Sequence, residues 1–335
     1  KKINIFLSEN VVKILLYMQR ILITGAAGFI GFNLTARFLS EGKSVIGIDS
    51  MLDNNDLWLK QIRLDRLLIN KNFKFIREKV THKVLKSIGN KIDLIIHLAA
   101  ISGIERFERD RDRAERITKE SAKAVARYAS ERKIPIIYAS SSSVYGRIEK
   151  KKFREDIARL RPISAYAKTK IFIEEIFQSV NNFSIGLRFF TVYGEYGRRD
   201  MAYFRFAERI LRNEPVVIFG KGIKRDFTYI DDVVEAIVLI IKNLNTIPRQ
   251  RQLIINIGRG KAERLEKMVF LLGKYLNKSP VIIYNRPRRF DMPYTCSDNR
   301  LLKAITGFTP QTDIERGLKR FTDWFKHNYQ KTEDR

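Results

Sequence analysis

Tyr166 and Lys170 stand four residues apart in Ser164-Ala-Tyr-Ala-Lys-Thr-Lys170, at the start of a predicted helix that reaches Val180. That spacing sends both side chains off one helix face. A phenol, which titrates near ~10, is a poor base at neutral pH, but a neighbouring cation favours the phenolate and fits it for proton transfer. Tyrosine and lysine meet at this spacing by chance on many amphipathic helices, so the pair alone decides little. A second cluster, Ser140-Ser-Ser-Ser143-Val-Tyr145-Gly146, follows a buried-strand pattern at Ile134 to Ala139. By themselves these serines read as hydrogen-bonding turn residues.

What must position such groups is visible earlier in the chain. Arg20-Ile-Leu-Ile-Thr-Gly-Ala-Ala-Gly-Phe-Ile-Gly31 reads as a buried strand to Thr24, a glycine turn at Gly25, Gly28 and Gly31, and a helix through Asn33, Leu34, Ala36 and Leu39. Glycines let backbone approach a diphosphate, and the unpaired N–H groups at the helix start, around Phe29 and Ile30, favour its negative charge. A lone glycine triplet is weak evidence. Here a second strand, Ser44 to Ile48, ends in Asp49, 18 residues past Gly31, where an acid binds ribose hydroxyls and repels an extra phosphate. The expected cofactor is therefore NAD, whose nicotinamide cation is a second group that would favour a Tyr166 phenolate.

The run Lys91 to Ala100 reads as another buried strand whose small carboxyl end, Leu98, Ala99 and Ala100, lets a cofactor lie close. Strands at Phe73 to Ile76 and Ile134 to Ala139, with the charged helical run Asp110 to Arg132, complete an alternation that predicts an α/β fold with a doubly wound parallel sheet. Further on, Phe183 to Leu187 and Leu253 to Ile257 read as strands, and Asp231 to Lys242 and Arg264 to Asn277 as helices. Phe321, Trp324 and Phe325 are spaced as a core-facing helix stripe.

Bulk properties narrow the function. One cysteine, Cys296, excludes a disulfide framework and a cysteine zinc site, and the three histidines, His82, His97 and His327, are scattered, so no metal is expected. The formal charge of +27, from 64 Lys plus Arg against 37 acids, is spread along the chain. A generally basic surface explains it, and nucleic acid, an anionic membrane face or a polyanionic substrate are the functional alternatives. Aromatics are not interleaved with the basic residues as in a base-stacking platform, so no specific nucleic-acid partner is expected. The apolar stretch Val11 to Met18 is interrupted by Lys13 and too short to span a bilayer; the expected location is cytoplasmic. Residues 1–17 are expected to be an extension before the first strand.

Together these motifs resemble the extended short-chain dehydrogenase/reductase superfamily, through Thr24 to Gly31, His97-Leu-Ala-Ala100, the serine strand end and Tyr166 to Lys170. Within it the chain is similar to the UDP-glucuronate 4-epimerases. That likeness rests on Gly47-Ile-Asp-Ser-Met-Leu-Asp53, Leu59-Lys-Gln-Ile-Arg-Leu64, Tyr138 to Gly146, Gly186-Leu-Arg-Phe-Phe-Thr-Val-Tyr-Gly194, Gly197-Arg-Arg-Asp-Met-Ala202 and Arg225-Asp-Phe-Thr-Tyr-Ile-Asp-Asp232. It implies a Rossmann domain over 18–190, with 226–258 returning to it, and a smaller interleaved C-terminal substrate domain from 191–225 and 259–330. It also implies C4 inversion of a UDP-uronic acid through a 4-keto sugar, with NAD not consumed. Tyr166 would take the proton of the 4-hydroxyl, Ser141 would bond the same oxygen, and Lys170 would hold the nicotinamide ribose and lower the phenol. Ser142, Ser143, Thr191 and Arg198 match the positions that cradle the sugar carboxylate, Arg225 and Arg288 those on the diphosphate, and Asp291 one near the uridine ribose. The 4-keto uronic acid is a β-keto acid that loses carbon dioxide easily. Related decarboxylases tend to carry glutamate at Ser142 or Ser143, so serines there argue for epimerisation. The competing expectations are a UDP-glucose/galactose-type epimerase, a UDP-glucuronate decarboxylase, and a catalytically lapsed nucleotide-binding protein.

The chain departs from that pattern in four places. Lys79 replaces an acid that contacts adenine, Thr118 or Lys119 stands near a usual asparagine, Glu105 to Arg113 is densely charged, and Phe290 replaces a glycine before Asp291. The resemblance implies a dimer that packs the helix of Glu105 to Arg113 with the Tyr166 helix, so a homodimer is one expected assembly, with that charge working against it.

Overall fold

A computed structural model describes residues 18–333 apart from 53–56, 90, 148–151, 181 and 248–251, so the expected extension over 1–17 lies outside the described residues. Among the described residues twelve strands follow one another: β1 (Arg20–Thr24), β2 (Ser44–Ile48), β3 (Phe73–Ile76), β4 (Leu94–His97), β5 (Ile136–Ser141), β6 (Ser184–Phe189), β7 (Thr191–Tyr193), β8 (Val216–Phe219), β9 (Lys224–Tyr229), β10 (Gln252–Ile257), β11 (Ala262–Arg264) and β12 (Ile282–Asn285). Seven form one sheet in the order β10-β6-β5-β4-β1-β2-β3, and every neighbouring pair is parallel.

The composition of the strands explains the burial. Ile21, Leu22 and Ile23 on β1 and Leu94, Ile95 and Ile96 on β4 are apolar toward both faces, as a parallel sheet covered on both sides requires. One face packs on the helices Phe29–Ser40, Leu57–Leu68 and Ile230–Lys242. The other packs on His82–Ser87, Arg111–Arg132 and Ala165–Ser179, where Leu85, Val125, Tyr128 and Phe177 meet β4 and β5. The fold is thus the expected doubly wound α/β sheet. Its strand order reverses between β1 and β4, where the outgoing loops part and leave a crevice.

Two small sheets stand beyond that crevice: β11-β9-β7, and β12-β8. Helix Ile314–Glu333 packs there with Ala202–Leu211 and Leu265–Leu276. Phe321 lies 4.8 Å from Tyr203, Phe325 stacks on Tyr329 at 4.5 Å, and Phe321 and Phe325 are fully buried, so this aromatic stripe is core. Each such ring contributes roughly 2–3 kcal/mol by burial. Among the described residues no helix is long and apolar enough to cross a membrane.

Candidate active site

The crevice opens into a cleft of about 860 Å³ that runs from the glycine turn to Arg225 and Asp291. At its base Gly25 has φ +75°, and a Cβ there would meet Ala99 N at 2.8 Å. A Cβ on Gly31 would collide with the Gly25 carbonyl, so helix Phe29–Ser40 starts hard against the turn. Gly28 N donates to Gly25 O at 2.9 Å, and Gly28 caps the helix without any side-chain bond, which leaves its first N–H groups facing the cleft.

Gly25, Gly28, Phe29, Ile30 and Gly31 form one wall, and Leu98, Ala99 and Ala100 form the wall opposite. Asp49, 6 % exposed, closes the end of β2, where its Oδ1 accepts from Met51 N and from Lys60 Nζ, both at 2.9 Å. A cradle that only glycine fits, a bare helix start and a carboxylate at the second strand end suit a dinucleotide. Lys79 lies on the same lip beside Glu78.

Above this floor β5 delivers the serines and helix Ala165–Ser179 delivers Tyr166 and Lys170. Ser164 caps that helix, accepting from Ala167 N at 3.1 Å, which fixes the turn carrying Tyr166. Ser143 Oγ and N donate to Ser141 Oγ at 2.9 and 3.2 Å. With its acceptor sites taken, Ser141 has its own proton to give, and it hydrogen-bonds the Tyr166 phenol. Lys170 is 3 % exposed and donates to Ala139 O at 2.9 Å, with Nζ 5.7 Å from the Tyr166 ring centre.

The electrostatics differ from the expectation in one respect. Burial brings Lys170 down to about 8, with Glu174 pulling it the other way. Burial also raises the Tyr166 phenol, and the groups that pull it down are Arg198 and Ser141 rather than Lys170. A desolvated ammonium beside a buried phenol needs a further positive charge to make the phenolate.

Beneath the pair sits a feature the sequence reading missed. Glu174 accepts from Ser140 Oγ and forms a two-pronged ion pair with Arg188 at 2.9 and 2.8 Å, fully inside the protein. Tyr166, Lys170 and Glu174 recur every four residues, and that spacing was the available signal.

At the far end Ser142, Ser143, Thr191 and Arg198 line the cleft together. Arg198 is locked by Asp200 through Nε and Nη2 at 2.9 and 2.7 Å. Burial works against the Asp200 charge, but Arg198, Arg106 and Arg205 prevail and hold its carboxyl below the usual range. Arg225 and Asp291 face each other electrostatically: burial lowers the guanidinium to about 10 and raises the acid, and each offsets the other's shift.

Arg288 lies off this wall. Its Nη1 is 2.5 Å from Glu105 and its guanidinium stacks 3.8 Å over Phe219. Phe290 and Asp291 do line the cleft. Thr118, buried near the place of the missing asparagine, accepts Ile101 N at 3.3 Å and so steadies the loop after β4. The charges of helix Arg111–Arg132 pair along it, as Arg111–Glu115 at 3.0 Å and Lys119–Glu115 at 2.8 Å show. His97 is neutral, held near 3 by burial and Lys170, and its Nδ1 bonds Thr24 Oγ1 at 2.8 Å.

Comparison with known proteins agrees with this architecture. The chain is 38 % identical over 92 % of its length to an uncharacterised Methanocaldococcus jannaschii protein, covering 97 % of it. It is 33 % identical over 92 % of its length to the UDP-glucuronate 4-epimerase of Thermodesulfobacterium geofontis, covering 96 % of that protein. The UDP-glucuronic acid 4-epimerase from Bacillus cereus, solved with UDP-glucuronic acid and NAD, superposes with a TM-score of 0.83 at 29 % identity, over 92 % of this chain and 99 % of that one. Residues 21–258 match the model of the NAD dependent epimerase/dehydratase family, and with its glycine cradle, strand-end carboxylate and Ser141, Tyr166 and Lys170 at one cleft, the chain belongs to that family.

Proposed function

We propose that this protein is an NAD-dependent UDP-glucuronate 4-epimerase, with Tyr166, Lys170 and Ser141 as its catalytic residues. The observation that carries the reading is the sugar end of the cleft. Ser142, Ser143 and Thr191 present hydroxyls and Arg198 a guanidinium to the same space as the Tyr166 phenol. A carboxylated sugar seats there with its 4-hydroxyl toward Tyr166.

When bound, NAD supplies the acceptor, and then the donor, of the hydride at C4; Gly25, Gly28 and Gly31 would hold its diphosphate and Asp49 its ribose. Tyr166 removes the hydroxyl proton as C4 is oxidised and returns it when C4 is reduced from the opposite face. Ser141, with its proton directed outward by Ser143, steadies the oxygen in both directions. Ser142 and Thr191 keep the carboxylate still while the 4-keto sugar exists, which limits loss of carbon dioxide, and Ser143, whose proton goes to Ser141, lines the same wall. Arg225 and Asp291 hold the nucleotide. The protein divides into a cofactor part, 18–190 with 226–258, and a substrate part, 191–225 with 259–330, and works as a cytoplasmic homodimer, a stoichiometry that sedimentation checks.

Purified protein given UDP-glucuronate should yield UDP-galacturonate without added NADH. Release of UDP-xylose or a 4-keto pentose would move the reading to decarboxylation. One observation favours a neutral sugar instead: Asp200 already occupies one edge of Arg198. Faster turnover of UDP-glucose than of UDP-glucuronate would establish that alternative.

A further inference from the structure

The helix Leu57–Leu68 carries a guanidinium for which the chemistry above has no use. Arg63 is 1 % exposed, among the largest fully buried side chains. Its Nη1 donates to Ala27 O at 3.1 Å, inside the glycine turn. Its Nε and Nη2 donate to Tyr196 O and Gly197 O, both at 2.9 Å. Gly197 immediately precedes Arg198.

The loop it reaches is held in an uncommon shape. Tyr196 has φ +58°, a left-handed conformation that costs a bulky residue about 1–3 kcal/mol unless its surroundings impose it. Its ring packs 5.0 Å from Phe32 and 5.0 Å from Trp324, with the Arg66 guanidinium 5.0 Å over it. Phe32 stands on the helix that leaves the glycine turn. A Cβ on Gly197 would collide with the Tyr203 hydroxyl, so the backbone there has one way to run. One planar fork thus spans the cofactor turn and the loop that aims Arg198, and both sides accept through backbone carbonyls that cannot rotate away.

We propose that Arg63 is a positioning residue that couples the dinucleotide turn to the substrate loop, so that ordering Gly25–Gly31 by NAD also orders Tyr196–Arg198 for the sugar. The coupling is reciprocal: substrate seated on Arg198 tightens the turn by the same factor. It rests on the reading that Arg198 faces the substrate, which turnover of UDP-glucuronate by the unaltered enzyme checks separately.

Hydrogen exchange of the full chain, stripped of NAD and then reloaded, tests it without reference to turnover. NAD alone should slow exchange at residues 25–31 and also at 195–200. Protection confined to 25–31 overturns the proposal. In Arg63→Lys, which keeps the charge but cannot bridge three carbonyls, protection at 25–31 should persist and that at 195–200 should fall at least about fivefold. Unchanged protection at 195–200 in that variant also overturns it. Tyr196→Gly accepts the same φ without the ring and should keep the coupling; loss there would assign it to the aromatic stack instead. In steady state, Arg63→Lys should raise KM for UDP-glucuronate about tenfold with kcat nearly constant. An equal loss in kcat would mark a merely structural role. Should Arg63→Lys not fold, the unaltered chain and Tyr196→Gly still decide the matter.

Discussion

Replacing Lys170 with methionine should make the protein more stable while removing its activity. The ammonium is 3 % exposed, and burial brings it from 10.5 down to about 8. At about 1.4 kcal/mol per pH unit, keeping it charged in the folded chain at pH 7 costs roughly 3 kcal/mol. Lys170→Met keeps the aliphatic stem and removes the charge, but leaves the Ala139 carbonyl without this donor, a loss of about 1–2 kcal/mol. The variant should therefore be roughly 1–2 kcal/mol more stable at pH 7. The sign of the pH effect follows from linkage. Between about 8 and 10.5 the unfolded chain binds a proton at this site that the folded chain has released, so wild-type stability rises with pH across that window. By pH 9.5 the wild type should have recovered about 2 kcal/mol relative to the variant, erasing or reversing the gap. Urea unfolding of both proteins, stripped of cofactor, at pH 7 and 9.5 measures the difference, and groups common to both cancel. A difference that is the same at both pH values would refute the claim that Lys170 is a desolvated cation.

Tyr166→Phe removes the proton carrier but not the ring, so kcat should fall about 10²–10⁴-fold while UDP-glucuronate binding, read by calorimetry, stays within a factor of a few. Gly31→Ala forces a Cβ against the Gly25 carbonyl, where only backbone could yield, and should weaken NAD binding at least about tenfold in a titration. Arg198→Gln should raise KM for UDP-glucuronate about tenfold or more and leave KM for UDP-glucose nearly unchanged; equal effects on both would show that Arg198 does not read a carboxylate.

The first strands of the parallel sheet were legible because β1 and β2 are short, largely apolar runs ended by Gly25 and Asp49. The expected bounds for β1, β2 and β3 are the observed ones. Elsewhere the apolar run misled: Lys91 to Ala100 yields only Leu94–His97 as strand, because Leu98 to Ala100 leave the sheet to border the cleft. The Ile134 strand starts at Ile136 and runs on through Ser141, so the serines extend the sheet before they turn. β7, β9 and β11 carry no clear alternation of their own and exist through pairing with one another, which no local pattern reveals. At the site, Tyr166, Lys170 and the glycines are local in sequence and were readable. The locking of Arg198 by Asp200, of Asp49 by Lys60 and of Arg288 by Glu105 was not. Those pairings depend on which rotamer each long side chain adopts among many acids and bases, and sequence spacing does not specify that.

The Glu174–Arg188 pair has a consequence for assembly of the chain. In the native alignment Ser140 on β5 lies opposite Arg188 on β6, and both reach Glu174 on the covering helix. Sliding β6 by a single residue would send Arg188 to the opposite face, among the apolar neighbours of Ile185, Leu187 and Phe189, and leave buried Glu174 without its guanidinium partner. Misaligned sheets therefore carry a penalty of several kcal/mol that correct pairing does not. The same side chains that underlie the reactive helix act as a proofreading key, admitting one alignment of the strands that place Ser141.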